Sequence, residues 1–132
     1  MSPTSEAVVF ISHFEIKAGH LPAFRAMSDS VVDALERAKP RTSVFLAYLN
    51  EGGGDLTFVH VFPDPAAMTA HVLGADERSR AAYEHIRPAG WEVYGPAPAE
   101  ILAELGEAAV AAAVDLVIQP TSIGGFLRTT VS

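Results

Sequence analysis

Residues 56–73, LTFVHVFPDPAAMTAHVL, constrain the chain more than any other stretch. The first half alternates: Leu56, Phe58, His60 and Phe62 fall on one face of a strand, and Thr57, Val59 and Val61 on the other. Pro63-Asp64-Pro65 stops that strand and opens a helix, because Asp64 is a good N-cap and Pro65 has the fixed φ wanted at the first helical position. Met68, His71 and Val72 then recur at three- and four-residue spacing, which is one side of a helix. One segment therefore delivers an aromatic strand face with an imidazole on it, followed by a helix carrying a second imidazole. The expected product is a corner lining a small apolar pocket.

The rest of the chain supplies partners for that corner. Residues 8–16 alternate with two largely apolar faces, Phe10, Ser12, Phe14 and Ile16 against Val9, Ile11, His13 and Glu15, so this strand belongs in the middle of its sheet. After the turn Lys17-Ala18-Gly19, Pro22 suits the first turn of a helix whose inward stripe is Leu21, Phe24, Ser28, Val31 and Leu35. Residues 42–50 read as a second strand. The glycines of Glu51-Gly52-Gly53-Gly54-Asp55 join it to the third as a hairpin; no helix N-terminus follows them, so they are a turn and not a phosphate loop. Asp76 can cap a further helical piece over residues 77–86, burying Ala81, Ala82, Tyr83 and Ile86, with Pro88 and Gly90 closing it. Residues 91–94 read as the fourth strand.

The order β-α-β-β-α-β is the split βαβ pattern: an α+β, ferredoxin-like antiparallel sheet with both helices on one face. Beyond it, residues 98–113 read as an Ala/Leu/Glu-rich helix and residues 114–119 as an extra strand, followed by a glycine-hinged tail ending in Phe126-Leu127-Arg128. The expected organisation is one ferredoxin-like domain over residues 1–97 with a C-terminal extension, residues 98–132, packed on it.

Composition narrows the function. Nine Lys and Arg against sixteen Asp and Glu give a net charge of −7, with no basic block, which argues against nucleic acid and anionic membrane surfaces as partners. There is no cysteine, so thiolate metal sites, disulfides and a Cys nucleophile are excluded. The first residues carry no positive charge and no apolar run approaches membrane-spanning length, so a soluble, cytoplasmic protein is expected. His-x-x-x-His and His-Glu-x-x-His spacings are missing, no metal is expected, and no serine sits in a Gly-x-Ser-x-Gly context.

With both helices on one side, Val9, Ile11, Val59 and Val61 gather on the other face of two central strands. Leaving four such side chains wet forfeits about 1.5 to 3 kcal/mol each. A homodimer packed sheet to sheet would cover them; the competing cover is the C-terminal extension folding back.

The order, with Phe14-Glu15-Ile16-Lys17-Ala18-Gly19, Val59-His60-Val61-Phe62 and Ala67-Met68-Thr69-Ala70-His71, resembles the antibiotic biosynthesis monooxygenase family over about residues 8–95. The resemblance implies a dimeric α+β barrel, and it points to oxygenation of a small aromatic (quinol or polyketide-like) ligand with no bound cofactor. It puts Phe62 at the border of the pocket and Met68 and His71 on the helix that roofs it. His60 stands where members often carry Glu, and Phe62 where they often carry Trp. His60 is the candidate catalytic base, since burial keeps an imidazole neutral at pH 7. Phe10, Phe14, Phe58 and Phe62 would sandwich a ring, Ser12 would orient it, and Tyr83 and Trp91 join Met68 and His71 as further candidate lining. Tyr94 and Arg128 are candidate oxyanion donors on chemistry alone. His13 is expected on the dimer side, and His20 and His85 in solvent. The competing reading is a closed, non-catalytic core in which His60 bonds a backbone carbonyl or Ser12, in a dimer that binds a ligand or serves structurally.

Overall fold

A computed structural model describes residues 6–128; residues 1–5, which belong to the stretch weighed above as a leader, and residues 129–132 lie outside the described residues. The elements are β1 (Val8–Ile16), α1 (Leu21–Ala38), β2 (Val44–Leu49), β3 (Asp55–Phe62), α2 (Pro65–Val72), α3 (Ala75–Ala82), β4 (Ile86–Tyr94), α4 (Ala99–Ala112) and β5 (Leu116–Gln119). They form one sheet in the order β2-β3-β1-β4-β5. Every pairing is antiparallel except β5, which runs parallel to β4 at the edge. This is the α+β, ferredoxin-like architecture with a helix-strand extension.

Local chemistry sets the joints. Asn50 closes the β2–β3 hairpin, its side-chain oxygen accepting from the Gly54 and Asp55 amides, both at 2.9 Å, so the glycine run is a turn held by the Asn50 side chain. Asp64 caps α2 by accepting from the Ala67 amide at 2.8 Å, with Pro65 just inside the helix. Gly95 ends β4 at φ +99, where a Cβ would come within 2.2 Å of the Ala7 carbonyl oxygen, so only glycine fits this crossing.

The β1–β3 register pairs Val8 with Phe62, Phe10 with His60, Ser12 with Phe58 and Phe14 with Leu56. That puts the whole aromatic set on one face, under the helices. Two apolar clusters fill the space: Val8, Phe62, Ala67, Met68, Val93 and Ile101 at one end, and Phe14, Phe24, Leu56 and Ile86 at the other. Fully burying side chains such as Phe62 and Met68 stabilises the fold by about 1.5 to 3 kcal/mol each.

Three expectations are corrected. The second helical piece is α3, ending at Ala82, and buries nothing: Ala81 and Tyr83 are exposed, Ala82 is half-buried, and Ile86 belongs to a strand. The left-handed Gly74 (φ 81) starts this helix, not Asp76. Pro88 and Gly90, read as helix closers, lie inside β4, which pairs Ile16 with Ile86 and Phe14 with Pro88 across a register shift at His13/Phe14. A proline has no amide to give a ladder, and the bulge is what accommodates it. The C-terminal extension, weighed as the competing cover, does not fold back over the open sheet face within the described residues. Ile101, Leu102, Leu105 and Leu116 pack against the Val8, Phe62 and Met68 cluster, on the helix side. Val9, Ile11, Val59 and Val61 are left half-buried on the other face, beside the exposed Leu46 and Tyr48.

Candidate functional site

His60 sits in the middle of β3, paired with Phe10 on one side and Phe45 on the other. Its side chain points under the helices and is buried, at 6 % exposure. Aromatic rings surround it: Phe10 and Phe45 with centroids at 5.0 Å, Phe62 at 6.0 Å and Phe58 at 6.5 Å. The His71 ring comes from α2, edge-on at 5.1 Å and 81°. His71 is also buried, and Phe62 lies 5.2 Å from it.

The imidazole hydrogen bonds define the chemistry. His60 Nδ1 lies 3.0 Å from the Phe10 carbonyl oxygen. A carbonyl only accepts, so Nδ1 carries the proton and, in the neutral ring, Nε2 keeps a lone pair. His71 Nδ1 lies 2.7 Å from the Thr42 hydroxyl. Among the described residues no hydrogen bond is made by either Nε2. Burial pushes His60 down to about 4 from an ordinary 6.5, only partly opposed by its bond to the Phe10 carbonyl and assisted by the Arg78 charge. Burial pushes His71 down to about 3, with the His60, Arg78 and Lys39 charges adding to it. Both rings are therefore neutral at pH 7, and protonating one opposes protonating the other.

A cleft of about 270 Å³ opens beside this pair, lined by Lys39, Pro40, Arg41, Thr42, Ala67, Ala70, His71 and Leu73 among others. It reaches His71 and Thr42; His60 does not line it. A second cleft of about 280 Å³ lies between α1 and β2, lined by Phe24, Arg25, Ser28, Asp29, Tyr48 and Leu56.

The other candidate residues divide by face. Phe10, Ser12, Phe14, Phe58, Phe62, Met68, His71 and Trp91 all lie on the helix side of the sheet. Phe14 touches Phe58 and Tyr83, at 5.8 and 6.0 Å, one ring removed from His60. Ser12 is buried but does not bond His60. Met68 is wholly enclosed in the core. Tyr94 pairs with Val9 on the opposite face, where its hydroxyl donates to Glu92 Oε1 at 2.5 Å and Glu92 Oε2 meets His13 Nε2 at 2.5 Å. These bonds, that to His13 foremost, hold the Glu92 carboxyl below its usual range. Arg128 lies in the exposed tail with its guanidinium over the Phe126 ring. His20 and His85, expected in solvent, are half-buried and meet each other Nδ1 to Nδ1 at 3.0 Å. Phe45 and Thr42 are the contributors that sequence reasoning missed. Strict alternation in residues 42–50 would have found Phe45 once the facing of β2 was known, whereas Thr42 precedes the strand and carries no such signal. Among the described residues, no group of three or more metal-ligating side chains comes together.

No family model and no curated protein matches the sequence. Solved structures do match. SnoaB, a cofactor-independent oxygenase from Streptomyces nogalater, superposes with a TM-score of 0.56 at 13% identity, over 67% of this chain and 90% of that one. A presumptive antibiotic biosynthesis monooxygenase from Bacteroides thetaiotaomicron gives 0.55 at 16% identity, over 62% and 81%. The chain has the antibiotic biosynthesis monooxygenase fold. MupZ from Pseudomonas fluorescens superposes over more of it, with a TM-score of 0.71 at 18% identity over 96% of this chain and 99% of that one. That span takes in the C-terminal extension, so helix α4 and strand β5 are an elaboration of this fold shared with another protein. At such identities the likeness is one of fold. Among the described residues no helix is long and apolar enough to cross a membrane.

Proposed function

We propose that this protein is a small-molecule enzyme that oxygenates an aromatic substrate of quinol or polyketide type without a bound cofactor, with His60 as the base. One observation carries the reading: the Phe10 carbonyl holds the proton on His60 Nδ1, leaving a basic Nε2 among aromatic rings. Such a base takes a proton from the acidic substrate. The resulting anion is electron-rich enough to reduce dioxygen, which adds to the ring carbon as a hydroperoxide. The imidazolium returns its proton to the peroxide; His60 then takes the second C–H proton as the O–O bond breaks and passes it to the departing hydroxide, so a ring CH₂ and one O₂ become C=O and H₂O. A base pushed down to about 4 is weak in isolation. An imidazolium formed beside a new substrate anion is stabilised by that anion, and this offsets the desolvation that disfavours it. The likeness in fold to a cofactor-independent oxygenase supports the same reading.

The working assembly in this proposal is a homodimer through the sheet face bearing Val9, Ile11, Val59 and Val61. The extension leaves those four side chains uncovered, which favours a second subunit as their cover.

A second reading, ligand binding without turnover, is favoured by one feature: the open cleft reaches His71 and Thr42 while the rings close around His60. Oxygen uptake with quinol and dihydroanthracenone panels separates the two. Turnover that falls at least a hundredfold in His60→Ala is expected, within the usual range for a general base. Turnover unchanged in that variant removes His60 from the role, and no uptake with any member of the panels favours binding alone.

A further inference from the structure

The cleft beside His71 has a chemical character that the reaction alone does not require. The chain carries nine cations against sixteen carboxylates, yet Lys39 and Arg41 both line this one opening. Lys39 Nζ donates to the Ala70 and Leu73 carbonyls at 2.9 and 3.0 Å, tying the β2 approach to the end of α2. An ammonium has three donors, so one remains for a ligand. Arg41 reaches Asp64 through NH2 alone, at 3.1 and 3.4 Å, which leaves the rest of its fork unused. Asp64 also caps α2, which fixes the carboxylate that Arg41 meets at the edge of the cleft. Between these cations the walls are apolar, with Pro40, Ala67, Ala70 and Leu73, and the neutral His71 stands among them.

We propose that the cleft binds a small aromatic carboxylate, its carboxylate held by Arg41 and Lys39 and its ring lying toward His71 and Thr42. A planar fork suits a carboxylate, and one free fork plus one free ammonium proton suits a monoanion better than a phosphate dianion. At about 270 Å³ the cleft falls just below the roughly 300 to 1,000 Å³ usual for ligand sites, which limits the ligand to one or two rings. The cleft opens beside the proposed base and His60 does not line it, so the inference goes beyond the proposed oxygenation: it is read by binding and stands or falls separately from turnover.

The test is a fluorescence titration with hydroxynaphthoate, its methyl ester and naphthyl phosphate, against the full chain and Arg41→Gln. Arg41 is exposed and its ion pair contributes little to folding, so this variant keeps the fold. The acid is expected to bind about tenfold more tightly than the ester, the equivalent of about 1.4 kcal/mol. Arg41→Gln should cut that preference to about threefold or less, Lys39 remaining, with little change in ester binding, and raised salt should weaken the acid alone. Equal binding of acid and ester, an undiminished preference in Arg41→Gln, or no binding of the acid at millimolar concentration overturns the inference. Tighter binding of naphthyl phosphate overturns the carboxylate assignment. Acid-selective binding without oxygen uptake would leave the inference standing and remove the oxygenase reading.

Discussion

Acid should destabilise this protein through the burial of His60. The ring is 6 % exposed among aromatic groups, and burial pushes it to about 4 from 6.5. Below 6.5 the unfolded chain takes up a proton that the folded chain refuses until about pH 4, so stability is lost with acid across that window and levels off below it. At about pH 5 the gap is about 1.5 pH units at 1.36 kcal/mol each, or about 2 kcal/mol relative to neutral pH. His71, pushed lower still, adds a loss of similar size. His60→Phe keeps an aromatic ring in place and removes one proton from the linkage. It also leaves the Phe10 carbonyl without its donor, a cost of about 1 kcal/mol that is the same at both pH values and cancels in the comparison. Urea unfolding at neutral pH and at about pH 5, with protein concentration fixed, gives the answer. The variant should lose about 2 kcal/mol less than the wild type on acidification, about 1 M in urea midpoint for a protein of this size. Equal acid losses in the two proteins would mean that His60 titrates alike folded and unfolded, and the burial argument would fail.

Other outcomes follow from single contacts. Sedimentation at micromolar concentration should show a dimer for the wild type and a monomer for Val59→Lys, because a charge on the half-buried sheet face cannot be covered by a twin face; a monomeric wild type refutes the dimer. Gly95→Ala should lower stability by about 2 to 4 kcal/mol, since its Cβ would meet the Ala7 carbonyl oxygen at 2.2 Å from a φ of +99; a melting temperature within a degree or so of wild type would contradict that crossing. Asp64→Ala should cost about 1 kcal/mol by removing the acceptor of the Ala67 amide, read as a fall in urea midpoint; an unchanged midpoint would mean the cap contributes nothing.

The fold was legible where the side-chain period was unbroken. Alternation in residues 8–16 and 56–62 located β1 and β3, and the same alternation put Phe10 and His60 on the buried face; their pairing came from the register. Asp64 and Pro65 marked the start of α2 because capping is local chemistry. Legibility failed at residues 83–90, where Pro88 and Gly90 read as breakers. The β4 strand forms there because β1 offers a long partner edge and a bulge absorbs the proline, facts that live in pairing and not in local propensity. The site was half legible for a similar reason. His60, Phe10, Phe58 and Phe62 follow from the period of two, and His71 from the helix spacing. Phe45 needed the facing of β2, and Thr42 needed the distance from the start of β2 to α2, neither of which is written in one segment. Tyr94 was assigned by hydroxyl chemistry without regard to parity, and parity puts it on the opposite face with His13 and Glu92.

The oxygenase reading depends on a neutral His60 with its proton on Nδ1. Long-range nitrogen-15 to proton correlation spectra of the imidazole rings, recorded from about pH 8 down to the acid limit of folding, measure that directly. The account predicts a protonated Nδ1 and a bare Nε2 at pH 7, unchanged until the ring begins to titrate near 4. A His60 that titrates near 6.5, or one carrying its proton on Nε2 at pH 7, would contradict it.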